Sequence, residues 1–266
     1  MPLVEASRAE LEALARRIRK TIIRMIYEVQ SGHPGGSLSC VEILTALYMK
    51  EMRFDPKEVD DPNRDRLVLS KGHACPTLYA VLAELGVISR EELWTLRQLG
   101  TRLQGHPDMK HLPGIEMSTG PLGLGLSAGL GMALAARLNG LSYHTYVLLG
   151  DGELQEGIIW ESAMCAAKYK ADNLTAVVDY NGIQLDGTID EIMPLGDLAG
   201  KFQSFGWGAI NVDGHDFTSL LDALGEARQH KGQPMVVIAR TVKGKGVSFM
   251  EDQAGWHGKA PNEEEA

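Results

Sequence analysis

At 266 residues the chain can bury one substantial core, as one large α/β domain or two small ones. Its formal net charge of -9 argues against a nucleic-acid surface as its main business, while leaving room for a local basic pocket that takes an anionic ligand. Cys40, Cys75 and Cys165 show no CxxC and no zinc-like spacing, which suits a reducing cytoplasm, and neither a signal core nor a bilayer-length apolar run is present.

Ser7-x-x-Glu10 is a capping box. Behind it Leu11, Leu14, Ala15, Ile18, Ile22, Met25, Ile26 and Val29 recur at helical spacing, which predicts a first helix ending near Gly32. The run SGHPGGS at 31–37 reads as a loop too glycine-rich for any regular element. Ser39-x-x-Glu42 predicts a helix through about 49, and 55–66 is polar and turn-prone. Arg66–Leu69 reads as a strand that stops at SKGHA, followed by a helix over 77–85. Cys75 lies two residues from His73 and reads as a small buried residue. Ser89-x-x-Glu92 predicts another helix, to about 99. Residues 101–123 form a long irregular stretch, of the kind that is usually functional in a compact domain. A small-residue helix over 125–138, suited to close packing on a sheet, comes next.

The chain is organised around 145–187. An apolar run at 146–149 reads as a buried strand that stops at Gly150-Asp151-Gly152. A helical segment follows, with Leu154, Ile158, Ala163, Ala166 and Ala167 among its apolar or small positions. A second run at 174–178 stops at Asp179-Tyr180-Asn181. Strand, helix and strand at this spacing make a βαβ unit. In a parallel sheet the two polar stops fall at one edge, where ligands of doubly wound folds collect. Asp151 and Asn181 there suit a magnesium-held diphosphate, because Mg²⁺ takes few protein oxygens and fills its shell with phosphate and water. Gly, Asp and Asn also favour plain strand-end turns, and GDG without Asn181 would point no further than that. Further strands are predicted at 207–212 and Met235–Arg240, with the helix Phe217–Gln229 between them. Residues 243–257 are a second glycine-rich loop, and 262–266 a charged, frayed tail. Together these elements predict a single α/β domain over 1–266, a mostly parallel sheet with helices on both faces.

Four of the eight histidines share a setting. His33, His73, His106 and His257 each sit in or beside a loop with a glycine close by. Such imidazoles can bond hydroxyls, carry protons or hold phosphate, all of which a phosphorylated, polyhydroxylated substrate would use. His111, His144, His215 and His230 lack this setting and read as structural or solvated.

SGHPGG, SKGHA, GHPD, STGPLGLGLS, GDGELQEGIIWE, DYNGIQLDG and WHG, in this order, resemble the N-terminal half of transketolases, from about Ser31 to His257. The resemblance implies the thiamine diphosphate-binding fold. It also implies transfer of a two-carbon ketol unit from a ketose phosphate to an aldose phosphate, as in the pentose phosphate pathway. By position, Asp151 and Asn181 match side-chain ligands of Mg²⁺ or Ca²⁺, with the Ile183 carbonyl as a third. Gly152 would approach the diphosphate, with Gly150 and Glu153 in the same cofactor-binding set. His73 and His257 match residues that touch cofactor and substrate. His33 and His106 match substrate-hydroxyl and proton-handling residues. Gly120, Pro121 and Leu122 match the loop beside the cofactor's rings, and Glu156 and Glu161 match acidic residues of a dimer interface. Many relatives carry Asn-Asn where this chain has Tyr180-Asn181, but only the second position aligns with the ligand.

Transketolases also carry a pyrimidine-binding domain, with the glutamate that protonates the cofactor's aminopyrimidine, and a third domain. The resemblance therefore implies an N-terminal subunit completed by a separate C-terminal chain, in an α2β2 assembly without nucleic acid or membrane. The rival readings are half of another thiamine diphosphate enzyme, such as a deoxyxylulose-phosphate synthase-like protein or a ketoacid dehydrogenase component, and a non-catalytic regulatory subunit that kept the fold.

Overall fold

The computed structural model describes residues 6–266. Five strands, β1 (Arg66–Leu69), β2 (Thr145–Gly150), β3 (Leu174–Tyr180), β4 (Gly208–Asp213) and β5 (Met235–Arg240), form one sheet in the order β1-β2-β3-β5-β4. Every pairing is parallel. The central strands read as unbroken apolar runs because both faces are covered. Successive residues alternate between the two sides. Leu67, Tyr146, Leu148, Val177 and Val237 join one core, whereas Val68, Val147, Val178, Val236 and Ile238 join the other.

On the first face pack α1 (Arg8–Val29), α2 (Pro34–Ser39), α3 (Val41–Ala46), α4 (Cys75–Glu84) and α9 (Phe217–Gln229). On the second lie α5 (Leu124–Leu138), α6 (Gly157–Lys168) and α8 (Leu198–Ser204), with the one-turn α7 (Ile189–Ile192) beside them. The capping box of α1 is made, with Ser7 and Glu10 bonding each other's backbone N–H. Gln30 ends the helix in a left-handed conformation. The glycines of α5 let it lie close on the sheet: a Cβ on Gly129 would come 2.4 Å from Val147 Cγ2. No helix among the described residues is long and apolar enough to cross a membrane.

Several local expectations are corrected. The glycine-rich stretch after His33 is helical: Pro34 starts α2 at its first position, where its fixed φ favours a helix. Its glycines serve close approach rather than irregular backbone, since a Cβ on Gly35 would meet the Trp256 carbonyl and the Lys243 side chain at 3.0 Å. Ser39 consequently caps nothing. Its hydroxyl donates its one proton to Asp179 Oδ2 (2.5 Å) and also lies 3.1 Å from Gly36 O, and α3 starts after Cys40 and runs into a π turn at Leu47–Glu51. After Ser89 the Glu92 N–H does bond Ser89 Oγ, at 3.2 Å, yet only a 3-10 turn forms, Glu92–Thr95. Leu96 turns inward, fully buried, and Arg97 adopts φ 59, which ends any helix there. The segment after Asp151 is likewise split, into a 3-10 turn (Gly152–Gln155) and α6. The tail folds back: Asn262 and Glu265 bond each other, and Gln30 Nε2 reaches Pro261 O at 3.1 Å.

Candidate active site

Because the sheet is parallel, the loops after β1, β2, β3 and β5 all leave at one edge. The register pairs Gly150 with Asp179, so Asp151 and Asn181 lie at neighbouring strand ends. Asp151 is buried. Its Oδ1 accepts from Gly152 N (2.8 Å) and its Oδ2 from Gly182 N (2.5 Å). Burial, reinforced by the Asp179 charge, pushes its pKa up to about 7. Asn181 Oδ1 accepts from Ile183 N (3.1 Å), and its Nδ2 lies 3.4 Å from Asp179 Oδ2. The Ile183 carbonyl accepts from Lys243 Nζ at 3.1 Å.

This donor set fits a hard divalent cation. It offers one carboxylate, one amide oxygen and one backbone carbonyl, and oxygen is what Mg²⁺ and Ca²⁺ select. A buried carboxylate whose proton is held to about pH 7 is short of positive charge, which a divalent ion would supply. The Thr119 hydroxyl, beside Gly72 and Gly120, is buried with no partner among the described residues, which leaves a polar atom for a ligand between these loops.

Three imidazoles converge over this edge. The ring centroids of His33 and His73 are 5.2 Å apart, those of His33 and His257 5.4 Å, and those of His73 and His257 5.2 Å. His33 precedes α2, His73 lies in the 3-10 turn after β1, and His257 follows the turn Ala254–Trp256. The His106 ring packs on Gly120, where a Cβ would approach it to 3.5 Å. Burial pushes His33 down to about 4 and His257 to about 3, and puts His73 well below its ordinary value. His106 is lowered by burial and by Arg97. All four are therefore neutral near pH 7, able to donate from one nitrogen and accept at the other.

Gly120 is half-buried, and Pro121 and Leu122 are exposed beside the site. Gly150 and Glu153 form a brace behind it. Glu153 accepts from Ser70 Oγ, from Gly123 N (2.7 Å) and from Gly150 N (3.1 Å), joining the ends of β1 and β2 to the start of α5. Glu156 and Glu161 are exposed. His144 is buried against Thr175 (2.8 Å), whereas His215 bonds Glu42 and Val242 N. Cys75 is buried, and burial raises its thiol.

Four charged side chains of the site were not singled out in the sequence. Lys71 reaches from the end of β1 to Asp179 and to Gly36 O (2.9 Å). Asp179 also accepts from Ser39 and Thr241. Burial opposes charge on both, yet each stabilises the other's ionised form: Asp179 is held below its ordinary value and Lys71 above. Lys243, also buried, donates to Ile183 O, to Gln184 O (3.0 Å) and to His257 Nδ1 (2.9 Å), and burial lowers it to about 8. Arg97 contacts Ser31 and His33. Lys71 and Asp179 lie inside quoted motifs, SKGHA and DYNGIQLDG, and Lys243 opens the glycine-rich loop at 243–257. Arg97 has no such signal.

Residues 11–266 match the family described as transketolase, thiamine diphosphate binding domain. Over 255 residues the chain is 43% identical to one subunit of an apulose-4-phosphate transketolase of Phocaeicola vulgatus, covering 96% of this chain and 90% of that one. One subunit of a 6-deoxy-6-sulfo-D-fructose transketolase of a Clostridium species is 45% identical over 255 residues, covering 96% and 93%. A solved transketolase of Pichia stipitis in complex with sedoheptulose 7-phosphate superposes with a TM-score of 0.92 at 35% identity, over 97% of this chain. The present chain spans 40% of that transketolase's length.

Proposed function

We propose, from the premise that this chain belongs to the transketolase family through its thiamine diphosphate-binding domain, that it is the diphosphate-binding subunit of a two-chain transketolase. Residues 1–266 are read as one such domain, which the family match over 11–266 and the two cores on one sheet support. The partner is a chain carrying the pyrimidine-binding domain, and two copies of each chain form the simplest closed assembly, α2β2. The substrates are sugar phosphates or similarly anionic sugars, in keeping with the apulose phosphate and sulfofructose named for the two relatives. The setting is the cytoplasm and the pentose phosphate pathway or a route like it.

Thiamine diphosphate, when bound, supplies the nucleophilic carbon that carries a two-carbon unit. The chain's own residues anchor and orient. Asp151, Asn181 and the Ile183 carbonyl hold Mg²⁺ (or Ca²⁺), and Gly150 and Gly152 keep the backbone slim where the diphosphate lies. His73 and His257 would touch the cofactor's diphosphate and the substrate. His33 and His106 hydrogen-bond sugar hydroxyls and pass protons at their ring nitrogens. Gly120, Pro121 and Leu122 flank the cofactor's rings, with Glu153 fixing that loop to Gly150.

The observation that carries this reading is the placement of the oxygen set Asp151, Asn181 and Ile183 at the edge where His33, His73 and His257 lie within 5.4 Å of one another. Ketol transfer from xylulose 5-phosphate to ribose 5-phosphate, by this chain together with its partner, cofactor and Mg²⁺, tests it. Cofactor binding without turnover on any ketose donor would leave a non-catalytic subunit instead.

A further inference from the structure

Arg97 has left-handed backbone, at φ 59. Strained backbone persists where the surroundings over-determine it, and it concentrates at functional positions. The surroundings here are specific. The Arg97 N–H bonds Leu103 O at 2.8 Å. Its guanidinium is seated on Gly105, where a Cβ would come 2.8 Å from Nε and 2.9 Å from Cζ. Nη1 donates to Ser31 Oγ at 2.9 Å, and Nη2 lies 3.4 Å from His33 Nδ1. No carboxylate pairs with Arg97 among the described residues. The side chain lines a cleft of about 520 Å³ with Ser31, Gln104, Gly105 and His106.

A guanidinium has five N–H donors and no acceptor. The nitrogen of His33 that faces it must therefore accept. A neutral imidazole carries one proton, so an accepting Nδ1 leaves that proton on Nε2. Burial and the Arg97 charge keep the ring neutral. Nε2 has no partner among the described residues and lies on the side of the ring that faces Gly258, where a Cβ would come within 3.8 Å.

We propose that Arg97 is a positioning residue that fixes the His33 proton on Nε2, so that His33 meets a bound sugar as an N–H donor. The donor role rests on the reading of His33 as substrate-facing. The tautomer does not.

The test is long-range proton–nitrogen NMR on the full chain labelled with ¹⁵N-histidine, with His33→Gln to assign the signals. Wild type and Arg97→Lys, which can only donate, should show His33 protonated at Nε2. Arg97→Glu places an acceptor against Nδ1 and should move the proton there. If charge reversal prevents folding, Arg97→Gln can accept through its amide oxygen and should raise the Nδ1–H form at least fivefold. A wild-type Nδ1–H signal, or an unmoved proton in a folded Arg97→Glu or Arg97→Gln chain, overturns the proposal. In the reconstituted two-chain enzyme, Arg97→Glu should lower kcat roughly tenfold or more at unchanged cofactor affinity, with Arg97→Lys restoring it. A moved proton with undiminished kcat would support the Arg97 assignment and count against the substrate-facing role of His33, so the two failures are distinct.

Discussion

The Lys71 ammonium and the Asp179 carboxylate meet beneath the active-site edge, cut off from solvent, at the ends of β1 and β3. Neither strand is the other's neighbour, since β2 lies between them. The pair therefore ties the His73 turn to the Asn181 turn across the strand that carries Asp151.

Removing one partner leaves an uncompensated buried charge. Lys71→Met or Asp179→Leu alone should cost about 3–5 kcal/mol of stability, and the double variant less than the sum of the two. Urea unfolding of the isolated chain measures this. Single variants within ~0.5 kcal/mol of wild type would show that the pair is not stabilising.

Metal-dependent cofactor binding should be lost in Asp151→Ala and only weakened in Asn181→Ala, where a neutral ligand is removed. The sign of the pH dependence follows from the raised carboxyl. With a metal-free pKa of about 7, Asp151 must shed a proton to bind the ion below that pH. Apparent Mg²⁺ affinity should then fall by up to about tenfold per pH unit below 7 and level off above it. Calorimetry in buffers of differing ionisation enthalpy would detect the released proton. A pH-independent affinity between 5.5 and 7.5 would contradict the assignment.

His33→Ala and His106→Ala should keep the fold and the cofactor affinity while slowing turnover by ~10²–10⁴-fold. The contrast is His144→Ala, which removes a buried ring bonded to Thr175 and should lower the melting temperature instead. Wild-type kinetics in both loop variants would return those histidines to a packing role.

The purified chain should give no ketol transfer alone with cofactor and Mg²⁺, and should recover it when the partner chain is added. Leu122 and Leu124 are exposed beside the site, and Leu185, Ile192 and Met193 are exposed in the segment after the Asn181 turn. Sedimentation with and without the partner would show whether these faces become covered. Robust turnover by this chain alone would exclude the two-chain reading.

Much of this was legible in the sequence. All five strands were, because a parallel sheet covered on both faces leaves unbroken apolar runs with abrupt polar stops. Asp151 and Asn181 could be placed at one edge for the same reason. The four loop histidines were visible through their glycine settings; the rings of His33, His73 and His257 meet within 5.4 Å, while His106 packs on Gly120. Gly35 and Gly36 misled because composition cannot separate a flexible loop from a helix that needs room, for Trp256 and Lys243 at Gly35 and for His73 and Lys71 at Gly36. The Ser89 pattern was a true local bond, overridden when Leu96 turned into the core. Lys71, Asp179 and Lys243 sat in or beside marked loops without being singled out, and Arg97 had no signal at all, since single charges read as solvated until distant segments are brought against them.

The sheet order also sets an order of events in time. β2 and β3 are joined by one short helix, whereas β1 must wait for residues 70–144 to be accommodated before it can pair with β2. Closing long loops slows folding, so the β2–α6–β3 unit should gain protection first and β1 later. Pulsed hydrogen exchange during refolding would resolve the two, and simultaneous protection would refute the order. Since Lys71 and His73 follow β1 directly, the chain would become competent to hold its cofactor only at the end of its own folding. A newly made molecule would then be protected from binding ligand in an unfinished form.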